Sequence, residues 1–362
     1  MRIESSVFCK TMERCRAFSV CCAVILVLLP TSIRANDCTL DVGSGGKVKG
    51  VLVPADQCDT FRDLRTNELH SAIANGSTTV CCPVFQNEPN CGRISVYDGV
   101  FSHDSRESQL DQFPWAVVIM KRWVSTTICS GSLISRQFVL SAAHCFVTSR
   151  KKLLPEKYRV RLGEWDLNLA EDCQYVEGRL ACNDRPPKDI PVQTIVSHQL
   201  YDYKSRDYLH DIALLKLIHP AEYSALISPV CLPNWSKDEP MIAGRSFTAT
   251  GWGRTRSFMA LRRKLKIHMK GHNITVCRRA YSMPAPEVPQ LQLCVGGERN
   301  RDVCFGDSGG ALMRRGDDVD RWTQVGIISF GADKCGKGMP GVFTNAAFYL
   351  DWIQRVMHDL SD

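Results

Sequence analysis

Cys304-Phe305-Gly306-Asp307-Ser308-Gly309-Gly310 is the stretch on which the reading of this chain turns. It sets a serine between an aspartate and two glycines, a composition that by itself favours a tight turn. Two earlier stretches change its meaning: Ser141-Ala142-Ala143-His144-Cys145 and His210-Asp211-Ile212-Ala213-Leu214-Leu215. Together they supply a histidine, an aspartate and a serine, in that order, on separate segments. A serine hydroxyl is a poor nucleophile at neutral pH. It becomes a useful one when an imidazole takes its proton and a buried carboxylate fixes the imidazole tautomer. Singly, each stretch has a plain structural reading: a packed histidine beside a cysteine, an aspartate opening a buried strand, a glycine turn. Their joint occurrence selects the chemical reading.

The chain has 362 residues, room for one large domain and a small one. Residues 1–35 read as a secretory signal peptide. Arg2, Lys10, Arg14 and Arg16 give it a basic start, and Ala17 to Leu29 is a mostly apolar run. That run is shorter than the roughly 20 residues a membrane span needs. No later segment is long and apolar enough to span, so the expectation is a secreted, extracellular chain with no membrane span. The first 35 residues carry five basic and two acidic residues, which leaves the remainder about +4 of the formal +7. Such a balance gives no reason to expect a nucleic-acid partner.

Four of the 18 cysteines lie in the first 35 residues. The other 14 are an even number in an oxidising context, which predicts a disulfide framework with no free thiol. Paired Cys-x-x-Cys motifs at zinc-ligand spacing are missing. Cys38 to Cys82 is a short, partly glycine-rich span that ends in a cysteine doublet, and so small a module needs covalent staples. Residues 83–101 read as a linker. Residues 102–362 read as short strands with turn punctuation, among them Trp115 to Met120, Phe138 to Ser141, Phe247 to Thr250 and Val325 to Ser329. Phe348, Trp352, Ile353, Val356 and Met357 recur at helical spacing, which predicts a packed C-terminal helix.

The three motifs resemble those of the chymotrypsin-like serine proteases, and Cys38 to Cys82 resembles the clip domain that precedes such proteases in arthropods. The resemblance implies an all-β chymotrypsin-like double β-barrel with a C-terminal helix, preceded by a small disulfide-stapled clip domain at 38–82. In this module Leu52 stands where a clip domain has its second cysteine, and the fourth would fall near Asn75. The two absent cysteines belong to one bond, so the implied pairs Cys38–Cys81 and Cys58–Cys82 leave no orphan. The resemblance further implies Cys91–Cys231 between linker and body, and Cys129–Cys145, Cys277–Cys294 and Cys304–Cys335 within it. Cys173–Cys182 would close an insert of the kind found in Easter-like clip proteases.

For the chemistry, the resemblance implies Ser308 as nucleophile, His144 as general base and then acid, and Asp211 as the group that orients His144. The N–H groups of Gly306 and Ser308 would form the oxyanion hole. Asp302 would lie at the floor of the substrate pocket, with Gly331 and Gly341 as side-chain-free walls, a trypsin-like arrangement that accepts Arg or Lys. The function implied is a secreted endopeptidase zymogen of an extracellular cascade, in innate immunity or development. Its partners would be protein substrates, an upstream activating protease and serpin inhibitors, and it would require no cofactor. Glu164 and Asp166 raise the possibility of a calcium loop, as in some relatives.

One part of the pattern departs from the family. Its members are activated by a new N-terminus whose amine pairs with the aspartate before the nucleophile, here Asp307. Counting back from Phe113-Pro114-Trp115, that start falls near Ser102, where Phe101-Ser102-His103-Asp104 offers no basic residue. Arg93-Ile94 has the right chemistry but leaves about eight extra residues. The departure keeps a second reading in play, a catalytically silent clip-domain homologue acting as cascade cofactor or scaffold. Residues 245–286 are rich in Arg and Lys and hold no acid, which suits either a polyanion site or a solvated, self-cleavable loop. Asn75, Asn234 and Asn273 head glycosylation sequons.

Overall fold

The computed structural model describes residues 37–42, 46–54, 79–83, 85, 87–94 and 107–361, apart from short stretches at 125, 148–153, 177–178, 184, 234–241, 254–262, 285–290, 299–306, 317–320 and 333–337. The chain divides into two compact units, 1–83 and 84–362.

In the first unit, β1 (Asp37–Val42), β2 (Gly46–Pro54) and β3 (Thr79–Pro83) form an antiparallel sheet in that order. Cys38 on β1 is bonded to Cys81 on β3, with Cα atoms 5.8 Å apart. The bond ties the two outer strands across β2, where Leu52 lies opposite Cys81 and is exposed. This is the stapling expected of a module with too little apolar side chain for a core. The expected Cys58–Cys82 bond and the signal segment lie outside the described residues.

The second unit holds two closed six-stranded barrels. The first is built from β4 (Ala116–Lys121), β5 (Thr127–Leu133), β6 (Phe138–Ser141), β7 (Tyr158–Leu162), β10 (Lys188–Ser197) and β11 (Ala213–Leu217). The second is built from β12 (Ser246–Gly251), β13 (Leu265–His272), β14 (Gln292–Gly296), β15 (Ala311–Arg315), β16 (Trp322–Phe330) and β17 (Pro340–Asn345). A hairpin of β8 (Cys173–Val176) and β9 (Arg179–Cys182) stands apart, its ends closed by Cys173–Cys182. Closure removes free sheet edges, so every barrel strand is paired on both sides.

Strands β4 and β6 are almost wholly buried because the seam between the barrels covers their outer face. Trp115 reaches across that seam, its Nε1–H 2.9 Å from Met313 Sδ, and Ser132 Oγ donates to Gln324 Oε1 at 2.5 Å. The core of the second barrel is formed by residues such as Phe247, Leu293, Leu312 and Phe343. Helix α1 (Ile274–Tyr281) starts at Asn273, whose Oδ1 accepts the Thr275 N–H at 3.0 Å. Helix α2 (Leu350–Asp359) follows a short 3-10 turn and buries Leu350, Trp352 and Ile353 against the first barrel. The expected apolar stripe is thus a packing face.

The Cys91–Cys231, Cys129–Cys145 and Cys277–Cys294 bonds are all present, and Cys304–Cys335 lies outside the described residues. The basic stretch 245–286 is not simply a loop. Its described parts are β12, β13 and α1, and Lys264 and Lys266 are buried. The Lys266 ammonium donates to Gln112 Oε1 at 3.2 Å. Ile267 and Met269 pack in the barrel core, so Lys266 stands on the opposite face of β13, buried there beside Gln112, which supplies its partner.

Candidate active site

His144 lies in a one-turn 3-10 segment, Ala143–Cys145, directly after β6. The bond from Cys145 to Cys129 on β5 pins that turn to the barrel wall. Asp211 comes from the strand next to β6 in the same barrel, in a tight turn that leads into β11, where Ala213 pairs with Ser141. Its side chain is completely enclosed, while the His144 side chain is about one-fifth exposed. The carboxylate grips the histidine twice: Oδ1 accepts the His144 main-chain N–H at 2.8 Å, and Oδ2 lies 2.7 Å from Nδ1. Two barrel-two residues complete the setting. Ser329 Oγ on β16 donates to Oδ2 at 2.5 Å, and Thr344 Oγ1 on β17 donates to the Asp211 carbonyl at 2.8 Å. A carboxylate so surrounded fixes the imidazole with Nδ1 toward itself and Nε2 free to act.

Ser308 is half-buried in the turn before β15. Gly310 N–H donates to the Asp307 carbonyl at 2.9 Å and Gly309 has φ of 82°, which defines a type II turn with Ser308 and Gly309 at its centre. Only glycine suits the second position here. A Cβ on Gly309 would lie 2.2 Å from Ser141 Oγ and 2.5 Å from the Ser130 carbonyl. The turn is stitched to both barrels: Ser130 N–H on β5 donates to the Ser308 carbonyl, and Gly309 N–H donates to the Ile328 carbonyl on β16, each at 2.8 Å.

Asp307 is buried, and its Oδ1 accepts the Gly253 N–H at 2.8 Å. Gly251 and Gly253 make the cradle, since a Cβ on either would come within 2.1–2.3 Å of the carboxylate oxygens. Gly341 lies buried in β17, and Gly331 just beyond β16 opens onto free space. Asp302 and Gly306 lie outside the described residues, as do the sequons at Asn75 and Asn234. Arg93 is exposed and Ile94 half-buried against the core. Just before them Gly92 is fixed, donating to the Pro229 carbonyl and accepting from Trp322 N–H.

Glu164 and Asp166 are spent on protein groups. Glu164 accepts the Trp165 N–H and faces Arg161 at 3.4 Å; Asp166 accepts the Asn168 N–H and faces Arg263 at 3.4 Å. Asp172, unnoticed in the sequence, lies with them and accepts the N–H groups of Trp165 and Asp166, each at 3.0 Å. Burial and the nearby Asp172 charge push the Glu164 carboxyl up to about 7. Burial pushes the Lys264 ammonium down to about 8.

Sequence reasoning also missed Ser329 and Thr344 as supports of Asp211, and the aromatic wall beside His144. Tyr208 meets the His144 ring edge-on with centroids 6.2 Å apart and lies 5.1 Å from Phe330, which in turn meets Tyr281 at 5.4 Å. The sequence carried little signal for the two hydroxyls, since β16 also holds Thr323 and Gln324 and β17 also holds Asn345.

Two barrels, with histidine and aspartate on the first and a serine turn between them, define the chymotrypsin-like class of serine protease. The chain belongs to the trypsin family: that family's model, described as Trypsin, matches residues 103–353. It is 32% identical to CLIP domain-containing serine protease B4 of Anopheles gambiae, over 88% of this chain and 91% of that protein. It is 34% identical to CLIP domain-containing serine protease B14 of the same species, over 93% and 96%. To Serine protease ea of Drosophila melanogaster it is 33% identical, over 85% of each. Proteases of this fold work with side chains and main-chain dipoles and need no cofactor. Among the described residues no helix is long and apolar enough to cross a membrane.

Proposed function

We propose that the chain is a secreted clip-domain zymogen whose processed form is a serine endopeptidase cleaving protein substrates after Arg or Lys. The observation that carries this reading is the Asp211 carboxylate, which holds the His144 main chain and ring together while Ser329 and Thr344 hold Asp211. A merely structural aspartate has no need to present an imidazole with one nitrogen left over.

In this mechanism His144 Nε2 takes the Ser308 proton as Oγ attacks the scissile carbonyl carbon. The resulting oxyanion is met by the N–H groups of Gly306 and Ser308. The protonated imidazole, stabilised by Asp211, then gives its proton to the leaving amine. Water attacks the acyl-enzyme by the same route in reverse. Asp302 would pair with the substrate cation in a pocket widened by Gly331 and Gly341. The substrate class and the upstream activating protease follow from that pocket and from the clip-family relationship.

Activation would free an α-amine to match the buried Asp307 charge. Arg93-Ile94 is the proposed cleavage site. Arg93 is exposed and so within reach of a protease. Cys91–Cys231 would keep the preceding chain attached after the cut. The absence of a basic residue at Phe101-Ser102 favours a second reading, the silent homologue.

One experiment separates the two. Processed protein is treated with a fluorophosphonate and assayed on matched peptides with Arg or Phe before the scissile bond. The protease reading expects label on Ser308, none on S308A, and a strong preference for Arg that Asp302→Ser removes. Folded, processed wild type that takes no label would leave the scaffold reading standing.

A further inference from the structure

Asp211 sits at the centre of a three-residue turn, with Ile212 N–H donating to the His210 carbonyl at 2.8 Å. The residue that launches this turn, His210, has φ of 59°. A left-handed backbone is uncommon for any side-chain-bearing residue and persists only where its surroundings over-determine it. Those surroundings are a set of rings packed around His210. The Tyr349 hydroxyl lies 3.0 Å from His210 Nδ1. The His198 ring stacks flat on His210, centroids 4.8 Å apart and planes within 7°. Tyr349 meets both imidazoles edge-on, and Trp352 of α2 closes the stack on the His198 side.

His198 is itself immobilised. Its main-chain N–H donates to the Ile212 carbonyl at 3.0 Å, and its Nδ1 accepts the Leu200 N–H at 3.3 Å. That second bond leaves the ring proton on Nε2. The residue is 2% exposed and burial keeps its ring neutral. A neutral, fixed ring on one face and a tyrosine hydroxyl at Nδ1 leave His210 one orientation, and through it the turn has one geometry.

We propose that His210, clamped between His198 and Tyr349, is a positioning residue that sets the angle at which Asp211 presents its carboxylate to His144. It touches no reacting atom and acts through the backbone of the Asp211 turn. The kinetic consequence rests on the protease reading above; the geometric one does not.

The variants are Tyr349→Phe, which removes one oxygen, His210→Val, whose branched Cβ opposes a positive φ, and His210→Asn, which tolerates that φ and keeps a polar atom. In processed protein His210→Val is expected to lower kcat about 10- to 100-fold with KM within twofold, and Tyr349→Phe about 3- to 10-fold. His210→Asn should restore most of the loss. The double variant should be no worse than His210→Val alone, because both act on one clamp. The second readout is the low-field Nδ1 proton of His144 in histidine-labelled, unprocessed protein, which reports the bond to Asp211 without turnover. It should shift or broaden in Tyr349→Phe and His210→Val and return in His210→Asn. An unmoved proton in Tyr349→Phe and His210→Val would overturn the proposal, as would additive kinetic losses. If His210→Val does not fold, Tyr349→Phe decides alone. A moved proton in a wild-type background that never turns over would sink the protease reading and leave the positioning intact.

Discussion

Asp211 and Glu164 are both buried carboxylates serving the first barrel, and the protein surrounds them differently. Asp211 is ringed by aimed donors: a main-chain N–H and an imidazole from one residue and a hydroxyl from the opposite barrel. Its partners converge so that one titratable ring is held in one pose. Glu164 has a single N–H and one long contact from the Arg161 guanidinium at 3.4 Å, and the like charge of Asp172 acts on it. Its cluster instead closes a seam. Lys264 N–H donates to the Trp165 carbonyl, Ser108 donates twice to the Lys264 carbonyl, and Trp165 Nε1–H returns to the Ser108 carbonyl. Burial is common to both sites. On the protease reading, what separates the proposed catalytic carboxylate from the structural one is whether its donors converge on a group that must act.

The comparison breaks most visibly at Asp211. Asp211→Asn keeps the shape of the side chain but offers an amide where Nδ1–H needs an acceptor. In the family's triad template that change costs on the order of 10⁴ in kcat, and the same is expected here. Unfolding should change far less, since the amide still fits its cavity. A variant active within tenfold of wild type would place Asp211 with Glu164 among the structural carboxylates.

Ser329 offers a smaller test of the same idea. Ser329→Ala removes one donor to Oδ2 and leaves the His144 contacts alone. Loss of one hydrogen bond to a buried charge is worth roughly 1.5–3 kcal/mol, which in transition-state terms is about 10- to 100-fold. The loss should fall on kcat, with KM little changed. A pure KM effect would mean that Ser329 contacts substrate and is not a support of Asp211.

The legibility of these two sites in the sequence was unequal, for a physical reason. His144, Asp211 and Ser308 stand in short local frames because each needs a particular turn: a disulfide-pinned 3-10 turn, a tight turn into a strand, a type II turn that demands Gly309. Turn chemistry is written in adjacent residues and can be read there. The strands were legible for a similar reason, as short runs set off by turn punctuation, and the family resemblance supplied the double barrel and the cysteine pairing. Ser329, Thr344, Tyr349 and His198 are distant in sequence from the residues they serve, and each looks like any polar or aromatic residue on an inward strand or helix face. Asp172 was hidden likewise, because only folding brings it beside Glu164. The basic run at 245–286 misled because composition does not say which lysines the rest of the fold covers, as it covers Lys264 and Lys266.

Glu164 supplies the smallest effect and the sharpest contrast. Its carboxyl is pushed up to about 7 in the fold, chiefly by burial and then by Asp172, against an ordinary value of 4.5. The folded state therefore holds this proton more tightly than the unfolded chain does. The stability it contributes is fully present below about pH 4.5 and is lost as the pH rises through about 7. A shift of that size, discounted because the group is not wholly shielded from solvent, is worth on the order of 1–3 kcal/mol. Glu164→Gln cannot titrate, yet its amide oxygen can still accept the Trp165 N–H. Measured by denaturant unfolding at pH 5 and pH 8, the difference between variant and wild type should move by that amount in favour of the variant at the higher pH. The rate on a small peptide substrate should change less than twofold at either pH, because no Glu164 contact leads to His144. A stability difference that stays flat across this range would mean that Arg161 neutralises Glu164 in the fold, so that it resembles Asp211 in being fully matched. A large loss of rate would instead mean that the seam between Ser108, Trp165 and Lys264 bears on the catalytic turn.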